Sequence, residues 1–240
     1  MAVGILGKKL GMSQIFRDDG RIIPVTVIEA GPCNVLQIKT KTKDGYDAIQ
    51  IGFGEKKEKN LNKPDLGKFK KINVTPKRFV REIRTSPDQK FELGQQVKVD
   101  VFAAGDAVDV VGTSIGKGFQ GGMKRWHWKG GKRTHGSTSH RRPGSIGSST
   151  TPGRVIRGHH MPGRMGGDTV TIQNLEVVKI DPENNLLVVE GAVPGPTNSL
   201  LVIKKAKKLA KAKIPQLLIT QEKKEKGKKE TGAKKEAKKK

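Results

Sequence analysis

The chain has 240 residues, with 48 Lys or Arg against 23 Asp or Glu, a formal charge of +25, 33% apolar residues, 4% aromatic residues and 30 glycines. The apolar share lies below the roughly 45–50% of ordinary globular chains, so part of the chain is expected to fold around a core and part is not. No stretch of 18 apolar residues, signal-type apolar region, amphipathic apolar face or lipid-anchor motif is found, which argues against a membrane partner and for a polyanion.

In chain order, the runs VGILG from Val3 and SQIFR from Ser13 read as short strands, and Asp18-Asp19-Gly20 is a hairpin turn signal. The β-branched run RIIPVTVIE from Arg21 follows, with Pro24 suggesting an edge or a bulge. NVLQIKT from Asn34 and DAIQIGF from Asp47 alternate apolar with polar, as half-buried strands do. Over residues 60–72, Leu61, Leu66, Phe69 and Ile72 permit one short amphipathic helix, interrupted by Pro64 and Gly67. RFVREIR from Arg78, QVKVDVF from Gln96 and AVDVV from Ala107 are further alternating strands. TVTIQ from Thr169, LEVVKID from Leu175, a turn at Pro182–Asn185 and LLVVEGAV from Leu186 complete the series. Many short strands joined by turns predict an all-β, antiparallel, closed or nearly closed barrel with minor helix. Cys33 reads as a small residue in or near a strand, in a reducing, cytosolic compartment.

Charge divides the chain differently. Residues 1–109 carry 20 basic and 14 acidic side chains, and residues 168–203 one basic and five acidic. Residues 110–167 carry eleven basic side chains and no Asp or Glu, while residues 204–240 carry 16 Lys and four Glu. Residues 112–167 also hold 15 of the 30 glycines, both tryptophans and all five histidines, without sustained periodicity. Bracketed by strands, this segment reads as an insertion projecting from the barrel, disordered alone and shaped by a partner. The expected division is a first barrel part over 1–111 with the small helix near 60–72, a projecting loop over 112–167, a second barrel part over 168–210 and a low-complexity tail over 211–240.

Against folded RNA each residue class of the insertion has a physical task. Lys117, Lys124, Arg125, Lys129, Lys132, Arg133, Arg141, Arg142, Arg154, Arg157 and Arg164 would neutralise phosphates, Arg with bidentate hydrogen bonds. Trp126, Trp128, His135, His140, His159 and His160 would stack on bases or fill minor-groove niches, with one of the two tryptophans instead packing on the barrel. Ser148, Ser149 and Thr150 offer short hydroxyls to phosphate and the 2′-OH, and glycines let the backbone approach.

Other chemistries fit poorly. The five histidines, His127 among them, are unevenly spaced and lack Cys or acidic partners for zinc. A nucleophilic triad needs an orienting carboxylate, and residues 110–167 have none. GKGFQGG from Gly116 lacks the order of a nucleotide-binding loop. No cofactor, catalytic residue or small-molecule substrate is therefore expected. A DNA-packaging protein with a basic tail would show regular amphipathic helices or a minor-groove arm, whereas this insertion is irregular and lies mid-chain.

A set of motifs in order from residue 4 to about 203 makes the assignment narrower. GILGKKLGMSQIF from Gly4, IIPVTVI from Ile22, GKGFQG from Gly116, THGSTSHR from Thr134, PGSIG from Pro143, TPGRV from Thr151, MPGRMG from Met161 and LLVVEGAVPGP from Leu186 resemble the bacterial type of large-subunit ribosomal protein L3. The resemblance implies a six-stranded barrel of the kind shared with translation factors, seated on the outer surface of the large subunit of cytoplasmic ribosomes. It implies an insertion threading into 23S rRNA toward the peptidyl-transferase centre, with Ser148–Gly153 at its inner tip. Early subunit assembly and contacts with neighbouring large-subunit proteins are implied as well. Thr150 occupies the position of a glutamine that some relatives methylate, and the Lys-rich end beyond about residue 210 exceeds the usual family length.

Overall fold

The computed structural model describes residues 4–17, 19–85 and 91–206. The Lys-rich tail expected over 211–240 lies outside the described residues. The elements run β1 (Gly4–Phe16), β2 (Ile22–Ala30), β3 (Cys33–Lys39), α1 (Lys41–Asp44), β4 (Ala48–Glu55), α2 (Lys63–Ile72), β5 (Lys77–Arg84) and β6 (Gln96–Val97). They continue with β7 (Ala107–Thr113), β8 (Phe119–Gln120), α3 (Gly122–Trp126), β9 (Gly163–Arg164), β10 (Thr169–Asp181), β11 (Leu186–Glu190) and β12 (Leu200–Lys205).

Six of these strands pair antiparallel in the cyclic order β1-β12-β7-β10-β11-β2, and β2 returns to β1, so the sheet closes on itself. Closure leaves no free edge along the ring. Two long bent strands make it possible. β10 pairs with β7 through Thr169–Glu176 and with β11 through Val177–Asp181, with the register shifting between Ile172 and Leu175. Asn174 sits at that shift with φ 58°, and its N–H is held by Asp109 Oδ1 at 3.0 Å. The runs that read as two strands on either side of Asn174 are therefore one strand bent at a bulge. In the same way residues 4–7 and 13–16, parts of two separate runs in the sequence, belong to one strand, β1, with a register shift between Lys9 and Gly11. Pro24 pairs with Gln14 beyond the last β11 partner, Val25, so its missing N–H costs the ladder nothing.

The strands between β2 and β7 do not join this ring. They form a separate four-stranded sheet in the order β5-β4-β3-β6, which the expected first barrel part over 1–111 did not set apart from the six-stranded barrel. Its inner face, with Val35, Ile49, Ile51, Phe53 and Ile83, shares one continuous core with Ile5, Leu6, Ile28, Val110, Leu187, Leu201 and Ile203 of the ring. Strand alternation alone cannot tell which sheet a strand joins, because the inner faces of both are equally apolar.

Local chemistry explains three further departures. α2 is one uninterrupted helix: Pro64 lies in its first turn, where no N–H is needed, and Gly67 faces open space. The run from Gln96 gives only a two-residue strand, then a 3-10 turn over Val99–Val101 that buries Val99. β12, which closes the ring between β1 and β7, was missed, because its apolar run runs directly into the Lys-rich end. Lys9 was missed too. It is buried, and Nζ donates to the carbonyls of Val193 at 2.8 Å and Gly195 at 3.1 Å, tying β1 to the β11–β12 connection. Cys33 begins β3, fully buried, with Sγ donating to the Leu6 carbonyl at 3.4 Å.

Candidate nucleic-acid interface

The long insertion grows out of the β7–β10 hairpin. Thr113 pairs with Thr169, and the ladder continues as Ser114 N–H donates to the Asp168 carbonyl at 2.9 Å and Lys117 N–H to the Met165 carbonyl at 2.8 Å. Phe119 then pairs with Arg164 and Gln120 with Gly163. Glycines permit this course: a Cβ at Gly166 would strike the Ile115 backbone, and Gly166 itself has φ 72°. Expected to be without structure of its own, the insertion instead has a braced base.

Above the β8–β9 pair, α3 carries the aromatic node. Trp126 stacks on His160 with ring centroids 4.0 Å apart and planes 3° from parallel. Trp126 Nε1 and Arg125 Nη1 both donate to the Met161 carbonyl, at 2.8 and 2.9 Å. The Arg125 guanidinium also lies 5.0 Å from the Trp126 ring centroid. Trp128 lies against Gly122, where any side chain would overlap its ring. Both tryptophans thus pack within the insertion, contrary to the expectation that one packs on the barrel. Farther out, Gly131 N–H donates to the His140 carbonyl at 3.1 Å, and His140 Nδ1 lies 3.0 Å from the Lys132 carbonyl oxygen.

Of the eleven basic side chains, Lys117, Lys124, Lys129, Lys132, Arg133, Arg141, Arg142, Arg154, Arg157 and Arg164 are exposed, and only Arg125 is half-buried. Arg125 thus works in part as an internal brace. Among the described residues none of the eleven enters an ion pair, since the segment has no carboxylate. His135, His140, His159 and His160 are exposed, as are Ser148, Ser149 and Thr150. Two shallow clefts flank Trp128. One, of about 330 Å3, is lined by Pro143, Ser145, His159 and His160, and the other, of about 710 Å3, by Lys129, Ser139 and Arg142. The structure brings those residues around Trp128, while Ser148–Thr150 and Arg154 line neither cleft. Large apolar side chains also face outward, with Phe119 72% and Ile156 68% exposed. Among the described residues no group of three or more His, Cys, Asp or Glu could hold a metal.

Sequence reasoning missed the Met161 carbonyl as the shared acceptor and His160 as the partner of Trp126. Residues 34 apart without periodicity between them carry no signal of such a pairing.

Comparison with known proteins supplies the family. The profile described as ribosomal protein L3 matches residues 80–185. A protein of Carboxydothermus hydrogenoformans, large ribosomal subunit protein uL3, is 59% identical over 208 residues, covering 87% of this chain and 99% of the relative. Proteins of the same name from Geobacillus sp. (strain WCH70) and Pelotomaculum thermopropionicum are 57% and 55% identical, covering 89% and 87% of this chain and 100% and 99% of those relatives. With near-complete coverage of each relative at such identity, the chain belongs to the ribosomal protein L3 (uL3) family.

Proposed function

We propose that this chain is a structural constituent of the large ribosomal subunit that binds 23S rRNA through residues 112–167. It belongs to a structural family and is not an enzyme. The closed six-stranded sheet of β1, β2, β7 and β10–β12, of the type shared with translation factors, is the platform, with the four-stranded sheet packed on it through a common core. The insertion penetrates the rRNA, with Ser148–Gly153 reaching toward the peptidyl-transferase centre. It promotes early subunit assembly in the cytoplasm and contacts neighbouring large-subunit proteins.

The observation that carries this reading is an acid-free, glycine-rich arm with ten exposed Lys or Arg, braced at its base and bare of ion pairs among the described residues. Exposed cations without intramolecular partners gain most from phosphates, and Phe119 and Ile156 have apolar surface to cover. The test is the affinity of the full chain for a structured 23S rRNA fragment and for duplex DNA of equal length, over a range of salt. Ten phosphate contacts give a slope of log K against log salt of roughly −7 to −9, with RNA preferred. A slope shallower than about −3, or equal affinity for DNA, contradicts the proposal.

A further inference from the structure

A second basic surface lies away from the insertion. Residues 55–84 hold eleven Lys or Arg against four acidic residues, a cluster concealed when charge is averaged over residues 1–109. Here α2 lies along the outer face of the four-stranded sheet but covers it only in part, burying Phe69 and leaving a groove of about 800 Å3. Leu36, Ile38 and Val80 of the sheet and Phe69 of α2 give the groove an apolar lining, and Leu93 at its margin is 60% exposed.

The charged lining is one-sided. Lys56, Lys71, Lys77 and Arg78 line the groove without an ion pair among the described residues, and the one acidic lining residue, Asp65, is held by Lys68 at 3.1 Å. Lys77 is only 8% exposed. A Cβ on Gly52 would lie 2.9 Å from Lys77 Cγ and 3.0 Å from Leu36 Cδ1, so the bare glycine makes the room that the lysine stem occupies. With its stem held in place there, Lys77 lines the groove with no carboxylate paired to it among the described residues, an arrangement complementary to an anionic ligand.

We propose that this groove receives a short segment of a neighbouring protein in which carboxylates alternate with aliphatic side chains. This inference rests on the ribosomal reading above. The carboxylates would meet Lys56, Lys71, Lys77 and Arg78, and the aliphatic side chains would cover Leu36, Ile38, Val80 and Leu93. An RNA strand fits less well: bases stack on exposed aromatic or guanidinium planes, the one aromatic side chain lining this groove, Phe69, is buried, and the one guanidinium lining it, that of Arg78, already lies over the Phe79 ring at 5.0 Å.

The test replaces Gln37, an exposed lining residue, by the photo-cross-linker benzoylphenylalanine in the full chain, which is then incorporated into large subunits. A second chain carries the same group at Ser148. The expected result is a Gln37-position adduct with a protein segment bearing several Asp or Glu among aliphatic residues, and a Ser148-position adduct with rRNA. A synthetic peptide of that segment should bind the free full chain. Lys71→Glu combined with Arg78→Glu, both exposed positions, should weaken binding about tenfold or more. A peptide with Lys in place of its acids should recover binding to that variant. An RNA adduct at position 37, an adduct with this chain's own residues 207–240, or no adduct there while position 148 marks rRNA overturns the groove inference alone. Failure of the chain to enter subunits overturns both readings.

Discussion

Trp126 and His160 stack at 4.0 Å with their planes 3° apart, joining the two arms of the insertion above its last strand pair. Such a pair stabilises by about 0.5–1.5 kcal/mol beyond its buried area. The shared acceptor at Met161 holds Trp126 and Arg125 in place. Trp126→Ala should therefore loosen the arm before binding and weaken affinity for the rRNA fragment roughly fivefold or more. The thermal midpoint of the barrel should not move. His160→Phe, which preserves a stackable ring, should retain most of the affinity, and equal losses from His160→Phe and His160→Ala would show that the stack is not the brace.

Among the described residues, no side chain of the segment 116–166 belongs to the buried hydrophobic core. Replacing residues 116–166 by a short Gly/Ser linker should leave Thr113 paired with Thr169 and a protein that unfolds in one cooperative transition. The same chain should lose stable incorporation into large subunits. Broad, probe-dependent unfolding by circular dichroism and fluorescence would mean that the arm contributes to the core after all.

Strand β12 closes the ring, and Leu201, its second residue, is fully buried opposite Gly7 on one side and Gly112 on the other. Leu201→Ala should cost about 2–5 kcal/mol in denaturant unfolding. Gly112→Ala tests the same contact from the other side, since a Cβ there would lie 2.8 Å from Leu201 Cδ2. Overpacking of that kind costs about 1–3 kcal/mol. A neutral Gly112→Ala would indicate that Leu201 can move aside.

Burial pushes the Cys33 thiol up to about 12 from an ordinary value of 9.0. The folded thiol keeps its proton where an unfolded one has lost it. Its contribution to stability is therefore intact below about pH 9 and declines as pH rises from there toward 12. Cys33 should resist maleimide at pH 8 in the native chain and react promptly once unfolded. Fast native labelling would place the thiol at the surface. Cys33→Ala should flatten the alkaline decline in stability.

The strands, the turn at Pro182–Asn185 and the basic arm were legible in the sequence because each is a local matter. Alternation of period two, turn chemistry and a run of 58 residues without a carboxylate are properties of neighbours along the chain. The arm's exposed cations followed from the same run, since no acidic partner existed to cover them. Which strands share a sheet was not legible. Val35 and Val110 look alike in sequence, yet one belongs to the four-stranded sheet and the other to the ring, because only pairing partners far along the chain decide it. Gly52 beside Lys77, Trp126 against His160 and Lys9 beneath the β11–β12 connection are likewise tertiary facts, each made by residues at least 25 apart. Side-chain type and spacing set what each segment could do. Long-range packing of the two sheets and of the arm on itself decided which cations were spent as braces and which were left facing outward.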